Sequence, residues 1–476
     1  MHSGPIRLPL LVSAFILGWL SSVAAYADDG PYLATGIKIG EVDQKSAIVW
    51  VRLTKEKRAD FGRLPILTEG LDPKEKSKTP MPTDIVPGMA GEVRVSYWPE
   101  SKEDERKNTD WVKVTVEQDF TYQFKLNDLR PHRAYKCLVE ARQTGSEKPS
   151  ITMTGGFKTA PSSDQAEAVK FIVTTCQAVR SIDAGADGHV AYKQMLDFDP
   201  DFFVHTGDIL YYDKEPICKN VAAARAKWGL IFSYGHNQKF HRHVSSYFIK
   251  DDHDTLKNDC WPGQTYGDLT FDQGLAIFRE QVPMGEKTYR TVRWGKDVQV
   301  WMTEHRDFRS ANTMKDGPKK TILGKEQKEW LMKTMKESDA THKFLIVPGP
   351  IVGPDKKGKS DNHSNKAFDH EGQELRDFLA TLKNTYVICG DRHWQYCSKD
   401  PKTGVLEMGC GPINDEHMFG GAPQKDETYH RYFGKKGGFL AITVKEGKAK
   451  AEWMSAEAQG ASGKPKIRYT EVLGGE

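Results

Sequence analysis

Four short polar strings in this chain combine residue types that bind metal ions. They are Cys176, then His205-Thr206-Gly207-Asp208 with Tyr211, then Asp251-Asp252-His253-Asp254 with Asn258, and finally Gly390-Asp391-Arg392-His393. Three of the four follow an apolar run that is typical of a buried strand. No local helix or hairpin can join strings so far apart in the chain. We therefore predict one metal site, built where several strands end side by side.

The string that ends in Asp208 follows the apolar run Phe202-Phe203-Val204. Gly207 permits a tight turn, and the turn presents the carboxylate of Asp208 at the end of the strand. Tyr211 can return to the same point within one turn of chain. A phenol with a pKa of about 10 binds a metal only when a highly charged ion removes its proton, which favours ferric iron. The alternative is a capping carboxylate followed by core tyrosines.

Three acids surround a histidine in Asp251-Asp252-His253-Asp254. Their mutual repulsion is relieved by a cation or by an ordered hydrogen-bond network, although a hydrated surface cluster has the same composition. Asn258 follows closely and offers an amide oxygen, which suits a hard divalent ion.

The last string places Asp391 and His393 on one face of an extended segment. Arg392 then points elsewhere, towards an anion or a neighbouring carboxylate. Arg306 and Arg309 follow another apolar run, and the planar fork of arginine suits phosphate oxygens. For Arg309 we expect an ordinary salt bridge. Cys176, taken alone, is better explained as a buried structural cysteine.

Two kinds of pattern divide the chain into two predicted domains. Residues 28–160 hold short alternating runs separated by turn signals, which indicate an all-β sandwich of the immunoglobulin or fibronectin III type. The stretch from Leu129 to Tyr135 resembles the tyrosine corner of such modules. After a short linker, residues 165–476 alternate apolar strand-like runs with helical ones, which favours a layered α/β domain.

The N-terminus predicts export. Residues 1–27 hold a basic residue, a short apolar run and the sequence Ala25-Tyr26-Ala27, as in a cleaved signal peptide, with an uncleaved anchor as the alternative. No later segment is apolar enough to cross a membrane. We therefore expect a periplasmic or extracellular protein, and a monomer.

Composition argues against a nucleic-acid partner. The 476 residues include 68 Lys and Arg against 65 Asp and Glu, and the net charge of +3 is dispersed. Seven cysteines in an exported chain suggest disulfides with one cysteine left over. Cys218 and Cys260 lie in polar sequence and are a candidate pair, whereas Cys176 is expected to be unpaired.

Taken in order, these strings resemble the alkaline phosphatase D (PhoD-like) family of metallophosphoesterases. The resemblance rests on Cys176, Gly207-Asp208 with Tyr211, the Asp251–Asp254 string with Asn258, the Glu304 to Arg309 segment, and Gly390-Asp391 with His393. It covers nearly all of residues 168–450. It implies a four-layer αββα sandwich preceded by the small β-sandwich.

The resemblance also implies a centre of Fe³⁺ and Ca²⁺. The ferric ligands would be Cys176, Asp208, Tyr211 and His393. The calcium ligands would be Asp208, Asn258 and Asp391. The shared carboxylate of Asp208 would bridge the two ions.

The implied activity is hydrolysis of phosphate monoesters or diesters, small or polymeric, by a metal-activated water. Asp252 and His253 would lie beside the phosphate, where either could steer the water or protonate the leaving oxygen. Arg306 or Arg392 would stabilise the equatorial oxygens. Two alternatives are a hydrolase of another ester class, such as a sulfate ester, and a non-catalytic extracellular binding protein.

Overall fold

A computed structural model of the chain describes residues 30–64, 79–418, 422–456 and 464–474. The predicted signal segment, residues 1–27, lies outside these ranges. In chain order, the described strands are β1 (Ile37–Gly40), β2 (Ala47–Arg52), β3 (Gly91–Pro99), β4 (Lys107–Asn108), β5 (Val112–Val114), β6 (Thr121–Leu126), β7 (Ala134–Arg142), β8 (Ile151–Lys158), β9 (Val169–Thr174), β10 (Phe202–His205), β11 (Ser245–Phe248), β12 (Thr265–Tyr266), β13 (Leu269–Thr270), β14 (Arg290–Trp294), β15 (Val298–Met302), β16 (His342–Val347), β17 (Thr385–Cys389), β18 (Gln395–Lys399), β19 (Leu406–Gly409), β20 (His430–Gly434), β21 (Gly438–Lys445), β22 (Lys448–Ser455) and β23 (Ile467–Leu473). The described α-helices are α1 (Val190–Asp197), α2 (Val221–Ser233), α3 (Gly235–His241), α4 (Phe271–Gln281), α5 (Lys325–Glu337) and α6 (Asp369–Ala380).

Two large mixed sheets pack face to face at the centre of the molecule. One has the order β23-β22-β21-β9-β10-β11-β1-β2-β6, and the other has the order β14-β15-β16-β17-β19-β18-β20. Apolar side chains from both sheets, such as Phe171, Val204 and Phe344, form the core between them. Helices α1 and α3 cover the outer face of the first sheet, and α5 and α6 cover that of the second. The predicted four-layer αββα sandwich is confirmed.

The central strands run parallel, which brings their carboxyl ends to one edge. In the first sheet β9, β10 and β11 are parallel neighbours, with Val204 opposite Val173 and Tyr247. In the second sheet β15, β16, β17 and β19 are also parallel. Several of these strands carry consecutive buried apolar residues rather than alternating ones, as at 202–204 in β10 and 344–347 in β16, because both faces of the sheet are covered. The loops that follow them build the candidate site.

The N-terminal module is an all-β sandwich, as predicted. Strands β1, β2 and β6 face a second sheet, β4-β3-β7-β8 with β5 on β3, across an apolar core. The hydroxyl of Tyr135 accepts a hydrogen bond from the backbone N–H of Arg130 at 2.9 Å, which is the predicted tyrosine corner.

The two predicted domains share a sheet. Strand β1 pairs in parallel with β11 at Gly40 and Ser246, so β1, β2 and β6 extend the sheet that contains β9 and β10. Arg290 of β14 also donates to Glu41 just after β1, with Nε to Oε2 at 2.7 Å. The sandwich is therefore joined to the α/β part by strand pairing as well as by the linker.

The stretch between Cys218 and His243, which carries no recognisable motif, forms α2 and α3. Helix α2 is capped by Asn220, whose side chain accepts a hydrogen bond from the N–H of Ala223 at 2.9 Å. Most of the helix is buried, Trp228 fully. This stretch contributes core rather than ligands. Among the described residues, no helix combines the length and apolar character that crossing a bilayer requires.

The predicted Cys218–Cys260 disulfide is wrong. Both residues are free thiols in one buried cluster, and each donates to a backbone carbonyl instead: Cys218 to Pro216, and Cys260 to Asp252 at 3.4 Å. Cys176 is also free, as predicted.

Candidate metal centre

Four of the six predicted ligands converge where β9, β10 and β17 end: Cys176, Asp208, Tyr211 and His393. Cys176 and Asp208 leave parallel neighbouring strands of the first sheet, while Asp391 and His393 follow β17 of the second. The backbone N–H of Asp391 donates to the hydroxyl of Thr175 at 3.2 Å, which ties the two sheets together beside the site.

Cys176, Asp208 and Asp391 all have left-handed backbone conformations, with φ of 44°, 55° and 59°. Side-chain sterics disfavour this region outside glycine, and such strain concentrates at functional sites. The glycines before the two aspartates are also required. Gly207 has φ of 106°, and a Cβ on Gly390 would overlap the hydroxyls of Thr206 and Thr175.

One ligand cluster contains Cys176, Asp208 and His393. Their ligand atoms all lie within 4.8 Å of one another, and the Cys176 Sγ is 3.4 Å from the Asp208 Oδ2. The phenol of Tyr211 joins them, 3.1 Å from the Asp208 Oδ2 and 3.4 Å from the His393 Nε2. The structure therefore brings together all four residues predicted to hold ferric iron.

A second cluster shares Asp208 with Asp252 and His253, again with all ligand atoms within 4.8 Å. His253 is oriented by Asp213, whose Oδ1 lies 2.5 Å from the His253 Nδ1. Asp208 therefore lies between two sets of donors. This is the position that a bridging carboxylate requires.

The buried acidic groups of the centre favour the binding of cations. Burial, followed by the nearby charges of Asp252 and Asp251, raises the pKa of Asp208 from its ordinary 3.8 to about 8. The Asp208 Oδ1 is buried and has no hydrogen-bond partner among the described residues. Burial and the charge of Asp208 likewise hold the pKa values of Cys176 and Tyr211 well above their ordinary range.

These donors fit metal ions. A thiol, a phenol, an imidazole and a carboxylate within reach of one another form a set that binds a highly charged ion after losing protons. The unpartnered oxygen of Asp208 and the carboxylate of Asp252 lie on the other side, where a hard oxygen-seeking ion is suited. Without an ion, this number of buried acidic groups is unfavourable.

The turn that presents Asp208 is held by another buried acid. The carboxylate of Asp254 accepts hydrogen bonds from the backbone N–H groups of Asp208 at 3.0 Å, Ile209 at 3.4 Å and Asp251 at 3.2 Å. Lys227 of α2 donates to the carbonyls of Lys214 and Pro216, each at 2.7 Å, and to that of Tyr211. Together they fix the chain on both sides of Tyr211.

Both predicted arginines are buried and already paired with acids. Arg306 donates its Nε to the Asp251 Oδ1 at 2.6 Å, and its guanidinium lies 3.8 Å from Asp252. Arg392 pairs with the Asp355 Oδ1 at 2.8 Å and with its neighbour Asp391. Arg309 donates instead to the backbone carbonyl of Asp361 at 2.7 Å and to Asn312.

Two predicted calcium ligands, Asn258 and Asp391, do not belong to either cluster, although each is close in sequence to a residue that does. Asn258 is exposed, and its backbone N–H donates to the Asp213 Oδ2 at 3.1 Å. Asp391 is half-buried and faces Arg392. Their assignment as calcium ligands stays a prediction.

Sequence reasoning missed His417 and Asp213. The His417 Nε2 lies 2.8 Å from the Tyr211 hydroxyl, and its ring is 4.7 Å from that of His393. The signal available was position, because His417 follows β19, a parallel neighbour of β17 that ends at the same edge. Asp213 is two residues beyond Tyr211 in sequence and had no motif of its own.

Comparison with known proteins identifies a family and a fold. The family model of PhoD-like phosphatases matches residues 171–453. The solved structure of PhoD is similar with a TM-score of 0.71 and 18% identity, covering 93% of this chain and 90% of that chain. A purple acid phosphatase from yellow lupin (Lupinus luteus) seeds is similar with a TM-score of 0.59 and 13% identity, covering 91% and 73%. At these identities the two structures show the fold. Among curated proteins, none matches the chain.

Proposed function

This chain belongs to the PhoD-like phosphatase family and is thus a metal-dependent phosphoesterase. We propose that its metals are Fe³⁺ and Ca²⁺, and that the protein is exported. The proposed substrates are phosphate monoesters or diesters. Export rests on residues 1–27, which have the layout of a cleaved signal peptide. N-terminal sequencing of the mature protein tests it, and a chain that begins after Ala27 is the expected result.

The observation that carries the proposal is the double role of Asp208. Its carboxylate belongs to one cluster with Cys176 and His393 and to another with Asp252 and His253. A two-metal hydrolase needs one ligand between its ions. When bound, the ions supply positive charge to the phosphoryl group and activate the attacking water.

The donor chemistry supports unlike metals on the two sides of Asp208. Cys176, Tyr211 and His393 combine thiolate, phenolate and imidazole, which suits a ferric ion. On the other side, carboxylate oxygens dominate, and the proposed ligands Asn258 and Asp391 would add only oxygen.

His253 is the proposed proton donor to the leaving oxygen. Burial acts to lower the pKa of His253. The carboxylates of Asp252, Asp213 and Asp208 outweigh burial and raise this pKa to about 10. The imidazole is therefore protonated at neutral pH in the metal-free protein, as a general acid must be. Asp213 fixes its ring through Nδ1, which leaves Nε2 for the substrate, so His253 is assigned here as the acid beside the second site and not as one of its metal ligands.

Arg306 and Arg392 are proposed to position the site's carboxylates. Each guanidinium is buried and engaged with two aspartates, Arg306 with Asp251 and Asp252, Arg392 with Asp355 and Asp391. Fixed in this way, they also hold positive charge near the site of phosphoryl binding, where it favours a developing anion.

Parallel assays test the reaction class. The purified protein should hydrolyse p-nitrophenyl phosphate or its bis-ester, lose that activity with a chelator, and regain it with metal. The rates on monoester and bis-ester decide the preference. Hydrolysis of p-nitrophenyl sulfate alone would identify a sulfate esterase, and inactivity on every ester together with absence of bound metal would favour a binding protein.

A further inference from the structure

Residues 355–362, here called the rim loop, follow β16 and are attached to the metal centre by ion pairs. Asp355 accepts from Arg392 at 2.8 Å, and Asn362 donates to Asp355 at 2.7 Å. Lys359 pairs with the Asp259 Oδ1 at 2.7 Å, and the backbone N–H of Asp259 donates to Asp252. These contacts hold the rim loop beside the proposed phosphoryl-binding residues.

Lys356 differs from the other cations of this rim. Lys359 is neutralised by Asp259 and Asp361, and Arg392 by Asp355 and Asp391. Among the described residues, no carboxylate lies within ion-pair distance of the Lys356 ammonium. The side chain is half-buried instead, with its Nζ 5.3 Å from the centre of the Trp394 ring.

Two contacts place the Lys356 ammonium beside the centre: the preceding residue Asp355 pairs with Arg392, and the Lys356 Nζ faces the ring of Trp394, which follows His393. Burial, followed by the positive charges of Arg392 and Lys359, lowers the pKa of Lys356, while Asp355 and Cys176 act in the opposite direction. A partly desolvated cation among other cations is unfavourable until an anion binds. A cation–π contact with the Trp394 ring favours this position of the side chain.

We infer that Lys356 is a specificity-determining residue that binds a second anionic group of the substrate, such as a carboxylate or another phosphate beyond the one being cleaved. The inference rests on the proposed function, because it assumes that a phosphoryl group occupies the metal centre. It favours substrates with a charged leaving group over neutral alkyl or aryl esters.

Binding of two small phosphonates tests the inference. Ethylphosphonate and phosphonoacetate are not hydrolysed, and they differ only by a methyl group in place of a carboxylate. Their dissociation constants for the metal-loaded enzyme are measured by calorimetry, and their inhibition constants are measured against p-nitrophenyl ester hydrolysis. The wild type should bind phosphonoacetate about 10-fold more tightly, as a hydrogen bond between charged groups allows.

The variant Lys356→Ala should lose this preference and bind ethylphosphonate as the wild type does. The matched control is Lys357→Ala, which removes an exposed neighbouring lysine and should keep the preference. Lys356→Arg should keep most of it.

The inference is overturned if the wild type shows no preference, if Lys356→Ala retains it, if that variant weakens both ligands equally, or if Lys357→Ala removes it as well. Failure of the proposed function looks different. A wild type that hydrolyses no phosphate ester but still prefers phosphonoacetate through Lys356 would refute the function and support the anion site.

Discussion

At the scale of residues, Cys176, Asp208 and Asp391 each occupy a left-handed backbone conformation at the end of a strand. Such a conformation costs about 1–2 kcal/mol in a non-glycine residue. The cost is offset where hydrogen bonds from neighbouring loops over-determine the backbone, as the carboxylate of Asp254 does at Asp208. The result is that Cys176 and Asp208 turn towards one point, while Asp391 turns towards Arg392.

Tyr211→Phe tests the ferric half of the centre. The phenol lies 3.1 Å from Asp208, 3.4 Å from His393 and 2.8 Å from His417. Tyrosinate on ferric iron should give a visible charge-transfer absorption, and the variant should lose it. The matched control is Tyr234→Phe, which removes a buried hydroxyl without a hydrogen-bond partner among the described residues. Colourless, fully active wild-type protein that contains only zinc would contradict the assignment.

The contribution of Asp208 to the stability of the metal-free protein should fall as pH rises. Asp208 has a pKa of about 8 when folded and near 3.8 when unfolded, chiefly because of burial. At this group the folded state therefore binds more protons over the window, so the contribution of Asp208 to the free energy of unfolding falls from about pH 4 to about pH 8. Buried histidines such as His189 and His205, whose pKa values burial lowers from 6.5, act in the opposite direction at the acid end of the window. The difference in melting temperature between chelator-treated wild type and Asp208→Asn should therefore fall as pH rises, and a difference that grows with pH would contradict the raised pKa.

At the scale of elements, the site depends on which strands end together. The apolar runs before Asp208 and Asp391, and the glycines before them, carry enough local information to predict strand ends with ligands. The left-handed conformations of Cys176 and Asp208 are set by loop packing and leave no local pattern. His417 could not be placed because its proximity to Tyr211 depends on the order of β17 and β19, which periodicity does not encode.

The turn after β10 should depend on Asp254. Asp254→Ala leaves three backbone N–H groups without their acceptor, and each lost partner costs about 1–3 kcal/mol when it stays buried. We expect a lower melting temperature and a lower metal content. Asp254→Asn keeps an oxygen for two of these donors and should retain most of both. Equal loss in the two variants would show that the charge of Asp254, and not its accepting geometry, is what matters.

At the scale of the whole molecule, the nine-stranded sheet joins the N-terminal sandwich to the phosphatase layers. The sequence predicted both architectures, because alternating runs and continuous apolar runs are local patterns. It could not predict that β1 pairs with β11, because this contact involves a single pair, Gly40 and Ser246, from distant parts of the chain. The predicted boundary near residue 160 therefore separates two sequence patterns, but strands from both sides of it belong to one continuous sheet.

The shared sheet has a consequence for stability. A fragment of residues 165–476 would expose the edge of β11 that β1 covers, and unpaired edges promote aggregation. We expect this fragment to be poorly soluble, and we expect calorimetry of the full chain to show one cooperative unfolding transition. Two well-separated transitions, with a soluble and active fragment, would show that the sandwich is independent.

We propose that Asp208 connects two metal sites in one centre. Substituting a ligand that belongs to a single site should remove one metal, whereas Asp208→Asn should reduce both. The control is Asp199→Asn, which alters an exposed carboxylate just before β10, the strand that leads to Asp208.

The most direct measurement is elemental analysis of the purified wild type, Asp208→Asn and Asp199→Asn. Phosphate-ester hydrolysis is measured on the same samples. We predict two metals per wild-type chain, loss of both in Asp208→Asn, and a fall in kcat/KM of at least about 100-fold, since even outer-shell partners of ligands contribute 10- to 100-fold. Full activity and metal content in Asp208→Asn would contradict the account.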